Sequence, residues 1–321
     1  MLYPLKFKPI YKDKIWGGDK IKALKKSDDV SDKCGESWEL SGVQGDITVV
    51  SEGPLKGNNI QELIEIYMGD LVGDKVYEKF GVEFPLLIKI IDANDDLSVQ
   101  VHPDDEFATK IHNAYGKTES WYILEAEKGS KLISGFNKDI TQQEFLEKLE
   151  NNKLLETVNQ QPVNAGDVYY IPAGRIHALG KGIMLVEIQQ TSDITYRIFD
   201  YNRKGDRELH IDMAKEVLDY SKTEKNTVEF DRFPDNSNKI IKNKFFTINF
   251  LPVMNPVLKN YAKTDSFIVY YCVNGEIIIN SKGKEYPLKK GEIILIPAEI
   301  PEIKILPKKY SELLEIYIDS E

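Results

Sequence analysis

The segment GDVYYIPAGRIHAL from Gly166 returns, altered, as GEIILIPAEIPEI from Gly291. Both carry a glycine, an acidic residue, an apolar run and an Ile-Pro-Ala turn, at an offset of 125 residues. The preceding runs echo each other as well: SWYILEAEKGSK from Ser120 resembles SFIVYYCVNGEI from Ser266. This repeat constrains the chain more than any other feature, because it sets both the element type, strand followed by turn, and the number of units. It predicts a mainly β protein built from two small β-barrels. The offset places Glu302 opposite His177, and no histidine lies beyond His210. The C-terminal copy is therefore expected to serve stability, closure over the site or association rather than chemistry.

Four side chains in or beside the strand-like runs of the first copy share one chemistry. Gln100 and His102, in SVQVHPDD, stand two residues apart. On a strand, residues i and i+2 leave the same face, so both point into one cavity while Val99 and Val101 face the other way. Pro103 ends that strand, having no N–H to give a ladder. Glu119, in GKTESWYIL, opens the apolar run Trp121 to Leu124 on a neighbouring strand. Gly166 and Asp167 form a turn, Val168 to Ile171 a strand, and Pro172 to Gly174 a second turn just before His177. Strand ends converging in this way predict a metal centre of two imidazoles, an amide and a carboxylate. A divalent ion so held keeps a net charge of about one and polarises a substrate oxygen. A lone histidine on an apolar strand is more often a core or surface residue than a ligand. Of the four histidines in 321 residues, His102 and His177 follow strand runs, whereas His112 and His210 lie in polar context and are the weaker candidates.

With 41% hydrophobic residues the chain buries a sizeable core and divides into two units. Its 42 basic and 52 acidic residues leave a formal charge of −10, mixed along the sequence, which argues against nucleic acid as a partner. The segment MLYPLKFKPIYKDKIWGG lacks the apolar stretch of a secretory signal, and no segment approaches the length of a membrane span. The expectation is a soluble, cytoplasmic protein, monomer or homodimer, with a small-molecule partner. Cys34 and Cys272 imply neither a disulfide framework nor a CxxC zinc site.

Helices are few and peripheral. Ile60, Leu63, Ile64, Tyr67 and Met68 form one stripe behind Asn59, with Glu62 completing a capping box. Thr141 and Glu144 cap a second helix that ends near Asn151, and Ile211 to Tyr220 carries a third. Residues 221–238 are polar and rich in turn formers, a linker between a domain at 1–228 and a smaller one at 229–321.

Taken together, IWGG at Ile15, GESWELS at Gly35, QVHPDD at Gln100, GKTESWYIL at Gly116, IPAGRIHALG at Ile171 and SDITYRIFDYNR at Ser192 resemble type I mannose-6-phosphate isomerase in its shorter bacterial form, within the cupin superfamily. The likeness covers most of residues 1–220. It implies two cupin-type jelly-roll β-barrels with a few peripheral α-helices. It also implies a zinc-dependent aldose–ketose isomerase that interconverts mannose 6-phosphate and fructose 6-phosphate through an enediol, with one Zn2+ per chain. The family's metal ligands fall on Gln100, His102, Glu119 and His177, its active-site arginine on Arg197, and its lysine before the metal glutamate on Lys117.

Isomerisation needs a base for a weakly acidic C–H, stabilisation of charge on oxygen and an anchor for phosphate. Arg197 and Arg203 suit the phosphate or an enediolate oxygen; the competing reading is an ion pair with nearby carboxylates, Asp200 especially. Glu187, in the apolar run LVEIQQT, is a candidate base, because an unpaired carboxylate there is costly, unless it lies on the strand's exposed face. Lys117 is the other proton carrier, or substrate contact, if the nearby metal charge lowers its pKa. Trp16 and Trp38 either line the pocket or pack in the core. GKT at Gly116 is not a phosphate loop, since the upstream glycine and following helix are missing. The rival classes are a metal-dependent cupin dioxygenase and a sugar-binding regulatory cupin; the latter is weakened by the lack of a basic helix-turn-helix unit.

Overall fold

The computed structural model describes residues 2–201, 203, 207–224 and 227–319. The protein is mainly β, and the chain divides into two compact units. One comprises Tyr11–Ser37 and Ile88–Val228 and holds all four histidines; the other, the companion, comprises Met1–Ile10, Trp38–Leu87 and Glu229–Glu321.

A six-stranded sheet, most of whose residues fall in the histidine unit, runs in the order Val168–Ile171, Glu119–Ala126, Ile183–Gln190, Leu86–Ala93, Cys34–Ser41, Ile10–Gly18. A five-stranded sheet runs Tyr196–Phe199, Val99–Val101, His177–Leu179, Lys131–Phe136, Val158–Pro162. One core draws on both sheets, with Trp16, Ile91, Trp121, Tyr169 and Leu185 from the first and Leu132 and Leu179 from the second. The other face of the five-stranded sheet presents Val99, Val101, Ile133 and Ala178 to helices Gln142–Glu150 and Ile211–Val217, which bring Phe145 and Ala214. Strand alternation therefore sends Val99 and Val101 to the helix side and leaves Gln100 for the interior, as expected.

The companion repeats this plan. Its sheets run Asn238–Lys242, Thr247–Val253, Ser311–Tyr317, Ile268–Asn274, Ile293–Ile296 and Val257–Asn260, Glu302–Pro307, Glu276–Ser281, Lys284–Lys289. Leu251, Tyr270 and Leu313 of one sheet pack with Ile279, Leu288 and Ile303 of the other. The register repeats too. Ile171 pairs with Glu119 as Ile296 pairs with Ile268, and His177 pairs with Gln100 as Glu302 pairs with Asn260. The four ligand positions thus fall on Asn260, Ala262, Ile268 and Glu302 in the companion.

Closed barrels are not what these ladders form. Among the described residues each unit carries two separate sheets that share a core, and the companion adds a two-stranded ribbon of Phe7–Lys8 with Val49–Val50. The edge strands Val168–Ile171 and Ile293–Ile296 are four residues long and run into Pro172 and Pro297, which have no N–H to carry a ladder further.

The Asn59 capping box is present, with Glu62 N–H donating to Asn59 Oδ1 at 2.9 Å and Asn59 N–H to Glu62 Oε2 at 2.8 Å, ahead of helix Ile60–Tyr67. Thr141 caps Gln142–Glu150, accepting from Glu144 N–H at 3.1 Å. The third helix stops at Val217, where Leu218 turns extended. Helix Asp105–His112 is an addition; its cap, Asp104, is hidden in the HPDD motif. Of the linker candidate, residues 225 and 226 lie outside the described residues.

Candidate metal centre

Three backbone devices bring distant side chains together. The strand Val99–Val101 delivers Gln100 and then His102, whose carbonyl accepts from Gly174 N–H at 2.9 Å. Gly174 has φ +84°, a left-handed turn favoured by glycine, and a Cβ there meets Val217 O at 2.9 Å. Lys117 N–H donates to Pro103 O at 3.0 Å, where Gly116 lies so near Asp104 that a Cβ comes within 2.4 Å of its carbonyl carbon. The loop thus delivers Lys117 and Glu119 beside the imidazoles.

The Nε2 atoms of His102 and His177 lie 3.5 Å from Glu119 Oε2 and Oε1 respectively, and the three ligand atoms all fall within 4.8 Å of one another. All three residues are buried. Gln100 Nε2 stands 3.2 Å from His177 Nε2, and a half-turn of its amide presents Oε1 instead. Each imidazole is oriented from behind: His102 Nδ1 meets Ile194 O at 2.9 Å and His177 Nδ1 meets Arg175 O at 2.8 Å. Those carbonyls fix Nδ1 as the protonated nitrogen and leave each Nε2 with a lone pair. Trp121 packs edge-on against His177, ring centroids 5.4 Å apart.

The electrostatics agree with ligation. Burial, reinforced by the Lys117 charge, pushes His102 down to about 3, and burial lowers His177 as well. Burial would raise Glu119, but Lys117 and the imidazoles outweigh it and hold the carboxyl well below its ordinary value. Lys117 Nζ lies 2.8 Å from Glu119 Oε2 and 2.9 Å from His102 Nε2. Even so, neither buried oxygen of Glu119 accepts a well-aligned hydrogen bond. Two neutral imidazoles and an ionised carboxylate, with an amide beside them, are nitrogen and oxygen donors of the kind that bind a divalent metal ion, so the residues present fit such an ion.

A cavity of 230 Å³ opens beside this cluster, lined by Gln100, Lys117, His177, Glu187, Arg197 and Trp16 among others. Glu187 is buried: its Oε2 accepts from Trp121 Nε1 at 2.8 Å, and its Oε1 lies 2.8 Å from Lys89 Nζ and 3.8 Å from Lys117 Nζ. It sits in the interior, not on an exposed face. Trp16 both lines the cavity and belongs to the core, and Trp38 is buried. Arg197 pairs in register with Gln100, its Nε donating to Ser98 Oγ at 3.3 Å and its Nη1 to Glu208 O at 2.7 Å. Arg203 is turned elsewhere, donating to Asp96 O and bridging to Asp200. His112 bonds Tyr196 OH, and His210 accepts from Arg197 N–H, so neither joins the cluster.

The sequence reading missed Lys14, Glu36, Lys89 and Arg207, all of which line the cavity. Lys89 carried a signal, a lysine in mid-strand in LLIKIIDA, by the argument that singled out Glu187. Burial would lower Lys89, but Glu187 and Glu36 outweigh it and raise it above its ordinary value. Nothing in the local pattern marks Arg207.

The model of the phosphomannose isomerase type I catalytic domain matches residues 4–137, and that of the mannose-6-phosphate isomerase cupin domain matches residues 236–308. The chain is 36% identical to mannose-6-phosphate isomerase ManA of Bacillus subtilis over 94% of this chain and 95% of that protein. It is 34% identical to mannose-6-phosphate isomerase of Streptococcus mutans, covering 94% of each. A crystal structure of mannose 6-phosphate isomerase from Bacillus subtilis superposes with a TM-score of 0.88 at 28% identity, covering 99% of this chain and 100% of that one.

Proposed function

This chain belongs to the type I phosphomannose isomerase family and is an enzyme of that kind, and we propose that it interconverts mannose 6-phosphate and fructose 6-phosphate with one zinc ion per chain, through an enediol. The observation that carries this reading is Glu119, a buried carboxylate held ionised beside Lys117, with the Nε2 atoms of two buried imidazoles 3.5 Å from its oxygens. Gln100, His102, Glu119 and His177 would hold the ion. Bound there, it would supply a Lewis acid that polarises a substrate oxygen, worth several kcal/mol in the transition state.

The remaining work falls to the chain's own side chains. Glu187 Oε1 takes the proton from C2 and returns it to C1, while one proton passes from the O2 hydroxyl to O1. Oε1 makes no aligned hydrogen bond, whereas the Trp121 contact to Oε2 fixes the carboxylate plane. Lys89 holds Glu187 as an ion pair. Lys117, between Glu119 and Glu187, donates to a substrate oxygen, and Arg197 meets the anionic end of the substrate. Trp16 and Trp121 shield the cavity wall from water.

Within the same reading, the family likeness supports two cupin-type jelly rolls, a catalytic domain at 1–228 and a metal-free one at 229–321, acting in the cytoplasm as a monomer or homodimer. Among the described residues no helix is long and apolar enough to cross a membrane.

The test is a coupled assay on mannose 6-phosphate with elemental analysis of the purified protein. The expected result is about one zinc per chain and turnover lost on chelation and restored by zinc; full turnover after exhaustive chelation sinks the reading.

A further inference from the structure

The charges around the cavity are mostly cancelled in pairs. Lys14 meets Glu36 at 3.1 Å, Lys89 meets Glu187 at 2.8 Å and Lys117 meets Glu119 at 2.8 Å. Two guanidiniums among the lining residues are not cancelled in this way. Arg197 has no carboxylate within ion-pair distance among the described residues. Arg207 reaches Asp200, with Nη1 3.0 Å from Oδ1 and 3.3 Å from Oδ2, but Asp200 is shared with Arg203. Arg203 also has Asp95, whose Oδ2 lies 3.9 Å from its Nη1, so the positive charge left without a carboxylate on this cavity is that of Arg197. Of the acids that line the same cavity, Asp193 has no cation partner among the described residues, and it is exposed.

Arg197 and Arg207 are close enough for the first to depress the second, with burial as the larger cause. The Nη2 groups of both make no hydrogen bond among the described residues, although Arg donors at partly buried positions ordinarily find acceptors. Two forks with free donors on one cavity suit a dianionic, tetrahedral oxyanion.

We infer that Arg207, rather than Arg203, joins Arg197 as the second guanidinium that grips the substrate's phosphate, and that Arg203 is a positioning residue that holds Asp200 against Arg207. Arg203 faces away from the cavity, bound to Asp96 O and lying over the Tyr201 ring at 5.6 Å. This assignment rests on the sugar phosphate reading of the site.

The experiment measures KM and kcat for mannose 6-phosphate and the inhibition constant of inorganic phosphate, using zinc-loaded wild type, R207A, R207K and R203A. For R207A, the KM and the phosphate inhibition constant rise together by about 10- to 100-fold, the loss of a charge-assisted contact, with kcat and zinc content retained. R207K recovers part of the loss, since a lysine keeps the charge without the fork. R203A shifts phosphate inhibition by less than about threefold, as expected of a partly exposed ion pair. Unchanged phosphate inhibition in R207A overturns the inference, as does R203A losing as much as R207A. Phosphate binding by calorimetry to the same proteins separates the two claims: a wild type that binds phosphate through Arg207 yet fails to turn over mannose 6-phosphate sinks the functional reading alone.

Discussion

Glu187 and Glu315 occupy the same strand position in the two units and have opposite surroundings. Each lies in register with an aromatic residue on the neighbouring strand, Glu187 with Trp121 and Glu315 with Tyr270. Around Glu315 every lone pair is used. Oε1 accepts from Tyr270 OH at 2.9 Å and from Tyr261 OH, and meets Lys259 Nζ at 2.7 Å. Oε2 accepts from Ser237 Oγ at 2.6 Å and Asn249 Nδ2 at 2.9 Å. Glu187 has one aligned donor, Trp121, and two lysines beside Oε1 without aligned bonds. The same slot is saturated in one unit and left short in the other. A saturated buried carboxylate ties strands together; an under-bonded one beside a cavity is available to a ligand. The ligand positions diverge likewise, from Gln100, His102, Glu119 and His177 to Asn260, Ala262, Ile268 and Glu302, of which only the last is a carboxylate, and an exposed one.

The contrast is most exposed to refutation at the metal. His177→Ala is expected to lose bound zinc and at least about a thousandfold in turnover, since a Lewis acid and its charge are removed together. Metal content by elemental analysis and the coupled assay check it. Glu187→Gln should keep its zinc and lose about 10²- to 10⁴-fold in kcat, the range for removing a general base; a variant with near-normal kcat reassigns the proton transfer. Glu315→Ala reverses the pattern: kcat is unchanged, while urea unfolding shows a loss of about 3 kcal/mol, because Lys259 and the tyrosine hydroxyls lose a shared partner.

A pH titration sharpens the same point more gently. Burial alone would raise Glu315, but Lys259 and the Ser237 and Tyr261 hydrogen bonds outweigh it and hold it below 4.5. A carboxyl depressed in the folded state contributes its stability fully above the unfolded value and loses it as pH falls through the folded one. Wild-type stability should therefore drop below about pH 4.5 more steeply than that of Glu315→Gln, as followed by urea midpoints. The smallest effect is expected for Glu302→Ala. It occupies the His177 position, yet its removal should change stability by under about 0.5 kcal/mol and turnover not at all.

Much of this was legible in the sequence because period and turn chemistry are local. The i, i+2 spacing of Gln100 and His102, the Ile-Pro-Ala turns and the Asn59 cap each depend on a few neighbouring residues, and each appears where expected. Carried through the 125-residue offset, the pairing of Tyr170 with Ser120 matches that of Leu295 with Val269, so the echo read between Ser120 and Ser266 is displaced by about three residues. What was not legible depends on distant packing. Whether two sheets close into a barrel is decided at edge strands such as Val168–Ile171, whose stopping point depends on partners absent from the local pattern. Arg203 and Arg207 look alike in sequence, and which one faces the cavity follows from Asp96 and Asp200. The domain order was also hidden. Residues 1–10 and 38–87 group with 229–321 in one compact unit, and nothing in their composition marks that grouping.

The two main-chain carbonyls behind the imidazoles carry a consequence for how the ion is acquired. Ile194 O and Arg175 O are main-chain atoms, so no side-chain replacement nearby can easily swap the tautomers they dictate. Because those rings already wait in their neutral form, capture of the ion need not expel protons from them, and loading should acidify the medium far less than it does at sites whose imidazoles start out charged.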